Sequence, residues 1–134
     1  MGEMVAMGWT ALTVPESYNG LDFGFIGLGQ ILEEAGKNLS KSPLISSILL
    51  GASALRLSDN EALKVRSFPG VMEGTSQFAF AIQEGKHHQI ASFKTHAVLE
   101  GENYIINGSK TLVIDGTTAN QLVVVCQVDT NKTA

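Results

Sequence analysis

The chain has 134 residues, of which 44% are apolar and 16% charged, and its formal net charge is −4 at pH 7. This length matches one ordinary domain, and the apolar content is high enough for a buried core, which excludes a disordered chain. The nine lysines and arginines are scattered along the sequence, so we expect neither nucleic acid nor an anionic membrane surface as a partner.

The first forty residues are predicted to contain a helix end, a short extended piece, a turn and a helix. Residues 1–9 are interpreted as the end of a helix, and Leu12-Thr13-Val14-Pro15 as extended, because proline disfavours helical geometry in the residue before it. Asn19-Gly20 predicts a turn. Apolar residues then recur at steps of three and four, which predicts an amphipathic helix over residues 24–38.

Two further helices are predicted before residue 74. Pro43 suits the first turn of a helix, with Ser42 as its cap, and the apolar residues that follow give a wide buried face. The stretch Leu44 to Leu57 is too short and too polar to span a bilayer, so we expect no membrane segment. Ser58-Asp59-Asn60-Glu61 has the pattern of a capping box, and Pro69-Gly70 is expected to break or kink the helix that it opens.

The apolar pattern changes to that of strands after Thr75. Asn107-Gly108 is a strong hairpin signal, and Gly101-Glu102-Asn103 indicates another turn. The turn signals favour antiparallel pairing among five candidate strands, which are Gln77–Gln83, Phe93–Glu100, Tyr104–Ile106, Thr111–Ile114 and Gln121–Val128. The predicted fold is therefore α+β: a helical segment, residues 1–74, is followed by a small antiparallel β-barrel or sheet domain, residues 75–134.

Two motifs resemble one protein family. The array G-x-x-Y-x-x-N-G-x-K, residues 101–110, resembles the middle β-domain of the acyl-CoA dehydrogenase family. Residues 8–21, Gly-Trp-x-x-Leu-Thr-Val-Pro-Glu-x-Tyr-Asn-Gly-Leu, resemble the segment before that domain. The resemblance implies the end of an N-terminal helical domain followed by most of the middle domain, without the C-terminal helical domain.

The resemblance also implies the chemistry. Such enzymes remove two hydrogens across Cα–Cβ of an acyl-CoA thioester in fatty-acid metabolism, with FAD as the hydride acceptor. The carboxylate that takes the α-proton belongs to the C-terminal domain in the family, so no residue of this chain is assigned a catalytic role. We therefore expect the isolated chain to be inactive. The segment Ser42 to Ser46 resembles members that act on bulky acyl groups such as sterol side chains.

Four residues are predicted to form a flavin-facing wall: Phe80, Ile82, Gln83 and Ile114. The family has threonine at the position of Gln83, but the amide of Gln83 can donate hydrogen bonds to the pyrimidine edge of the flavin. Ile114 stands where the family has a hydroxyl for flavin N5. A Gly-Ser-Asp of the family is replaced by Lys86-His87-His88-Gln89. Glu84 matches the family pattern but is not a catalytic base there.

Several residues are assigned structural roles. His87 and His88 are adjacent and lack further ligands nearby in the sequence, so no metal site is expected. His96 within a strand is interpreted as structural, and Tyr104 and Lys110 as residues that set the hairpin. The lone Cys126 excludes an internal disulfide and is compatible with a cytoplasmic location.

Two functions remain open. The chain is part of a flavin-dependent acyl-CoA dehydrogenase that assembles as a homo- or hetero-oligomer with acyl-CoA dehydrogenase-like chains. Alternatively, it is a non-catalytic structural subunit or a truncated fragment that binds no FAD on its own. The altered residues at positions 83, 88 and 114 motivate the alternative.

Overall fold

The computed structural model describes residues 1–87 and 93–128. Its helical segments are α1, Gly2–Ala6; α2, Gly24–Lys37; a π-helix, Leu44–Ala52; α3, Ser53–Leu57; and α4, Glu61–Met72. Two short 3₁₀ turns, Trp9–Ala11 and Glu16–Tyr18, lie between α1 and α2. The predicted order of helices is confirmed, and α2 lies within one residue of its predicted bounds.

The segment predicted as extended, residues 12–15, is instead folded into a tight loop. Leu12 has the helical angles φ −57° and ψ −39°. The Leu12 carbonyl accepts a hydrogen bond from Phe23 N at 2.8 Å, and the Val14 carbonyl accepts one from Asp22 N at 3.0 Å. The predicted turn at Asn19-Gly20 is confirmed, with Asn19 at φ 63°. Gly20 is required there because a Cβ atom would lie 2.0 Å from the Val14 carbonyl oxygen.

The helix caps differ from the predicted ones. Pro43, not Ser42, is the N-cap residue of the π-helix. Asn60 caps α4, and its Oδ1 atom accepts a hydrogen bond from Leu63 N at 3.0 Å. Pro69 does not end α4, which continues to Met72. The carbonyl that loses its helical donor belongs to Val65, which is 62% exposed, so water can replace the missing bond.

The π-helix is tied to later parts of the chain by two buried serines. The hydroxyl of Ser47 accepts a hydrogen bond from Phe78 N at 2.8 Å. The hydroxyl of Ser46 donates to Asp115 Oδ2 at 2.6 Å. Gly51 of the same helix packs against Phe78, since a Cβ atom on Gly51 would lie 2.3 Å from that residue's Cβ. These contacts satisfy polar groups that would otherwise be buried without partners.

The helical elements enclose the main apolar core. Phe68 of α4 is completely buried, and the ring of Tyr18 lies 4.9 Å from its ring, centroid to centroid. The largest buried apolar side chains of this core come from the 12–23 loop, α2, the π-helix and α4: Val14, Leu28, Leu44, Ile48, Phe68 and Val71. The wide apolar face predicted after Pro43 therefore lies in the core.

Within residues 1–87 and 93–128, five strands follow: β1, Phe78–Ala81; β2, His96–Glu100; β3, Asn103–Asn107; β4, Gln121–Val124; and β5, Gln127–Val128. Strands β1 and β4 pair in one sheet, and a second sheet has the order β3-β2-β5. The α+β class is confirmed. The expectation of antiparallel pairing throughout is wrong, because β2 is antiparallel to β3 but parallel to β5.

The predicted hairpin at Asn107-Gly108 is also wrong. Residues 111–114 form no strand, and Leu112 has φ 51°, a value incompatible with extended backbone. Gly108 instead packs against Thr95, where an added Cβ atom would lie 2.6 Å from the Thr95 Cα atom. The turn at Gly101-Glu102 is confirmed, and it joins β2 to β3 with Glu100 opposite Asn103.

The chain divides into two compact units. The first comprises Met1–Phe80 and Asp115–Val123, and the second comprises the described residues of 81–114 and 124–134. The units therefore alternate along the chain. The predicted domain boundary after residue 74 stays a prediction.

Candidate functional site

The four residues predicted to face a flavin lie in two stretches. Phe80 belongs to β1, and Ile82 and Gln83 follow that strand directly. Ile114 opens a turn that leads to residue 118. The Gln83 carbonyl accepts a hydrogen bond from Thr111 N at 2.9 Å, so the second stretch passes beside Gln83 within the second unit.

The side chain of Gln83 is directed toward its own loop. Its Nε2 atom donates to the His87 carbonyl at 2.7 Å and to the Gly85 carbonyl at 3.4 Å. The hydroxyl of Thr111 donates to the same Gly85 carbonyl at 3.2 Å. The amide hydrogens that were predicted to reach a flavin edge are thus engaged within the protein.

Ile114 offers no hydrogen-bonding group and is 54% exposed. The turn that it opens is closed by Thr118 N and Ala119 N, which donate to the Asp115 carbonyl at 3.0 and 2.9 Å. The side chain of Asp115 is held by Ser46, as described above. Position 114 is therefore fixed in a well-bonded turn but presents only apolar surface.

A cluster that sequence reasoning missed surrounds the carboxylate of Glu84. Lys110 Nζ lies 2.7 Å from Glu84 Oε1, and the two side chains are only 8% and 14% exposed, respectively. The carboxylate also accepts hydrogen bonds from Lys94 N at 2.6 Å, Thr95 N at 3.0 Å and the Thr95 hydroxyl at 2.5 Å. Both ends of the segment between Glu84 and Thr95 are thereby fastened together.

Lys110 has two further partners. Its ammonium donates to the Ile82 carbonyl at 3.2 Å and lies 4.5 Å from the centroid of the Phe93 ring, a cation–π distance. We interpreted Lys110 as a residue that sets a hairpin, but the structure gives it a partly buried ion pair. Glu84 and Lys110 each match a family motif, which is the sequence signal that could have found them. Nothing in their spacing indicates that they form an ion pair.

The electrostatics of this cluster exclude one role for Glu84. The Lys110 ammonium, the Thr95 hydroxyl and the Lys94 amide hold the pKa of the Glu84 carboxyl well below its usual range. A general base works best when its pKa lies near the operating pH. Glu84 is therefore an ionised structural anchor.

The described residues offer no candidate metal site. They contain no cluster of three or more histidine, cysteine, aspartate or glutamate side chains that could hold a metal ion. His96 lies on exposed β2, with Nδ1 3.4 Å from the Lys94 carbonyl, and His87 is exposed. His88 lies outside the described residues. None of the described helices has the length and apolar character needed to cross a bilayer.

The first unit contains an apolar cavity of about 410 Å³. Its walls come from α1, the first 3₁₀ turn, α2 and the start of the π-helix, with Trp9, Ile31 and Leu44 among its lining residues. Glu34, at its polar rim, is paired with Lys37 at 2.7 Å. The cavity suits an apolar group, and its lining offers nothing that is poised for acid–base chemistry.

The described residues do not fit the polar edge of an isoalloxazine ring as they stand. The Gln83 amide and the Thr111 hydroxyl donate to loop carbonyls, and Ile114 has nothing to donate. Phe80 and Ile82 are half-buried apolar side chains that can supply van der Waals surface only. The residues that determine the fold match the family motifs, whereas the residues predicted to bind the cofactor match the family less well.

Comparison with known proteins gives one family. The family model described as acyl-CoA dehydrogenase, N-terminal domain, matches residues 1–75. The chain is 31% identical over 131 residues to cyclohex-1-ene-1-carbonyl-CoA dehydrogenase of Syntrophus aciditrophicus, covering 96% of this chain and 32% of that protein. It is 27% identical over 128 residues to acyl-CoA dehydrogenase FadE29 of Mycobacterium tuberculosis, covering 95% of this chain and 32% of that protein.

Solved structures agree with this result. A variant of the Tcur3481-Tcur3483 steroid ACAD superposes with a TM-score of 0.85 at 26% identity, over 95% of this chain and 35% of that one. An acyl-CoA dehydrogenase from Geobacillus kaustophilus gives a TM-score of 0.73 at 27% identity, over 98% of this chain and 35% of that one. The chain spans about a third of the length of the relatives that it matches.

Proposed function

Because the chain belongs to the acyl-CoA dehydrogenase family, we propose that it contributes one part of a flavin-dependent acyl-CoA dehydrogenase. The resemblance drawn from the two sequence motifs is confirmed. The proposed reaction is the α,β-dehydrogenation of an acyl-CoA thioester, for which bound FAD accepts the hydride. The observation that supports this most strongly is the family match over residues 1–75 together with the TM-score of 0.85 over 95% of the chain.

The proposed contribution of this chain is structural and positional. It supplies helices, the apolar cavity and a wall of the flavin site, while the carboxylate that takes the α-proton comes from another part of the enzyme. Glu84 does not serve as that base, because its charge is held by Lys110 and the segment 94–95. No described carboxylate is assigned the role.

We propose acyl-CoA dehydrogenase-like chains as partners and an acyl-CoA with a bulky acyl group as substrate. Two solved neighbours have two-part names, a variant of the Tcur3481-Tcur3483 steroid ACAD and the ChsE4-ChsE5 complex of Mycobacterium tuberculosis. The second is only 22% identical and supports the fold alone. One relative is named for a cyclic acyl group, cyclohex-1-ene-1-carbonyl-CoA. We also propose a cytoplasmic location, with which the lone Cys126 is compatible.

A second candidate function is that of a subunit that holds no FAD. The observation that favours it is the direction of the Gln83 amide, which donates to the carbonyls of Gly85 and His87. Because a hydrogen-bond donor engaged within the protein must give up that bond to reach a ligand, the observed arrangement disfavours flavin binding.

A titration with FAD separates the two candidates. The purified chain, alone and co-expressed with an acyl-CoA dehydrogenase-like partner, is titrated with FAD while flavin fluorescence and visible absorbance are recorded. Saturable binding at micromolar concentration, in either sample, supports the flavin-site wall. Absence of binding in both samples contradicts it and supports the subunit without FAD.

A further inference from the structure

The loop that follows β1 is closed on itself by one of its own side chains. This loop, residues 83–87, begins with Gln83, whose Nε2 atom donates to the carbonyl of His87 at 2.7 Å and to that of Gly85 at 3.4 Å. An amide nitrogen carries two hydrogens, so each hydrogen is directed to one loop carbonyl. The hydroxyl of Thr111 donates to the Gly85 carbonyl as well, at 3.2 Å. We call the two bonds from Gln83 the Gln83 latch.

The residues at the base of the loop are held independently of the latch. The Gln83 carbonyl accepts a hydrogen bond from Thr111 N at 2.9 Å, and the Glu84 carboxylate is paired with Lys110 at 2.7 Å. By contrast, residues 85–87 are exposed, and within the described parts of the chain their hydrogen bonds come only from the side chains of Gln83 and Thr111. Loss of the latch can therefore release residues 85–87 without unfolding the residues beside them.

The closed loop also depends on the backbone of Gly85. Its φ of 75° lies in the left-handed region, which residues with a Cβ atom disfavour. An added Cβ atom would meet nothing within 4 Å, so a substitution changes the backbone preference without creating a clash. Gly101, in the turn between β2 and β3, has the same properties, with φ 65° and nothing within 4 Å of an added Cβ atom. The chain therefore offers a matched pair of substitutions, one inside the loop and one outside it.

We propose that the Gln83 latch is an autoinhibitory contact, which keeps the Gln83 amide from donating to a ligand while the loop is closed. In the closed state both amide hydrogens are bound by loop carbonyls, and in the open state they are released. A ligand that needs the amide binds only the open state, so its apparent affinity is reduced by the fraction of chains that are open. Where that ligand is FAD, the inference rests on the proposed function.

Limited proteolysis of the full chain measures loop opening. Trypsin cleaves after Lys86, which is exposed inside the loop, and cleavage follows the population of the open state when opening and closing are fast. Gln83→Leu removes both latch donors, and Gly85→Ala disfavours the closed backbone, so we expect each to increase the rate of cleavage after Lys86 about five- to tenfold. Cleavage after Lys41, in the first unit, is the internal reference. Gly101→Ala is the matched control and should leave cleavage after Lys86 unchanged.

A titration of the same variants with FAD, alone and co-expressed with an acyl-CoA dehydrogenase-like partner, tests the inhibitory role. Gly85→Ala keeps the Gln83 amide, so its FAD affinity should increase by the same factor as its cleavage rate. Gln83→Leu opens the loop but has no amide to donate, so its FAD affinity should not exceed that of the wild type. Gly101→Ala should match the wild type in affinity, and circular dichroism verifies that each variant folds.

The two measurements separate failure of the latch from failure of the proposed function. Unchanged cleavage after Lys86 in Gln83→Leu overturns the latch. If the wild type binds FAD and Gly85→Ala binds it no more tightly despite faster cleavage, the inhibitory role is overturned. If no sample binds FAD although both loop variants are cleaved faster, the proposed flavin function is contradicted, whereas closure of the loop by Gln83 is supported.

Discussion

At Glu84 four hydrogen-bond donors converge on one carboxylate, and this cluster joins the residues just after β1 to those just before β2. The donors come from Lys94, Thr95 and Lys110, so a single side chain links three separate stretches of the second unit. An ion pair that is exposed to water contributes little to the stability of the fold. When the pair is shielded and fully hydrogen-bonded, removal of one partner is strongly destabilising.

Replacement of Glu84 by glutamine tests this anchor. The substitution leaves the Lys110 ammonium without its counter-charge, so we expect a lower melting temperature at pH 7. The folded-state pKa of Glu84 is lowered, so its stabilisation is present above the unfolded-state value of about 4.3 and is lost as the pH falls toward the folded-state value. The difference between wild type and variant should therefore shrink below about pH 4. Glu100→Gln on exposed β2 is the control, and its melting temperature at pH 7 should equal that of the wild type.

A second residue, Ile114, tests the flavin wall. Ile114→Thr introduces a hydroxyl at the position where the family supplies one to flavin N5. One added hydrogen bond is worth about 1 kcal/mol, so we expect FAD affinity to increase about five- to tenfold, measured by fluorescence titration. Val98→Thr makes a comparable change on the hairpin and should leave the affinity unaltered. Equal affinities for the wild type and Ile114→Thr would argue that position 114 does not face the cofactor.

At the scale of elements, the sequence predicted where helices lie better than how their ends are made. The steps of three and four apolar residues locate α2 because that pattern is carried by the helix itself. The cap at Asn60 and the continuation of α4 through Pro69 both depend on local hydrogen bonds. Several neighbouring residues can form such bonds, so the sequence does not select among them. At 111–114 the backbone is not extended: Leu112 has φ 51°, and Thr111 N donates to the carbonyl of Gln83, a partner that is distant in the sequence.

Replacement of two helical glycines by alanine is expected to have opposite effects on stability. Gly29 in α2 has nothing within 4 Å of an added Cβ atom, so Gly29→Ala should stabilise the protein by about 0.5–1 kcal/mol through helix propensity. Gly51 in the π-helix would place its Cβ atom 2.3 Å from the Cβ of Phe78. Gly51→Ala should therefore destabilise by about 1–3 kcal/mol despite the same gain in propensity. Urea unfolding of both variants measures the two effects, and a stabilised Gly51→Ala would contradict the tight packing.

At the scale of the whole molecule, the order of helices followed by strands and the family could both be predicted, because they depend on periodicity and on two motifs. The parallel pairing of β2 with β5 could not, since strand direction is decided by which distant segments meet. The flavin wall was predicted from motif positions alone. Where Gln83 directs its amide depends on the carbonyls of Gly85 and His87, which no spacing in the sequence reveals.

The contribution of residues 115–123 to the first unit bears on how the chain is made. Asp115 accepts a hydrogen bond from the hydroxyl of Ser46 in the π-helix, and the side chain of Asn120 accepts one from Gln77 N. A ribosome releases these residues well after the helices have left the exit tunnel, at about 5–20 residues per second. At the slower rate, several seconds therefore pass between the emergence of the helices and that of residues 115–123. The first unit stays incomplete during this time. Such a nascent chain exposes its unfinished core to chaperones or to neighbouring polypeptides during that interval.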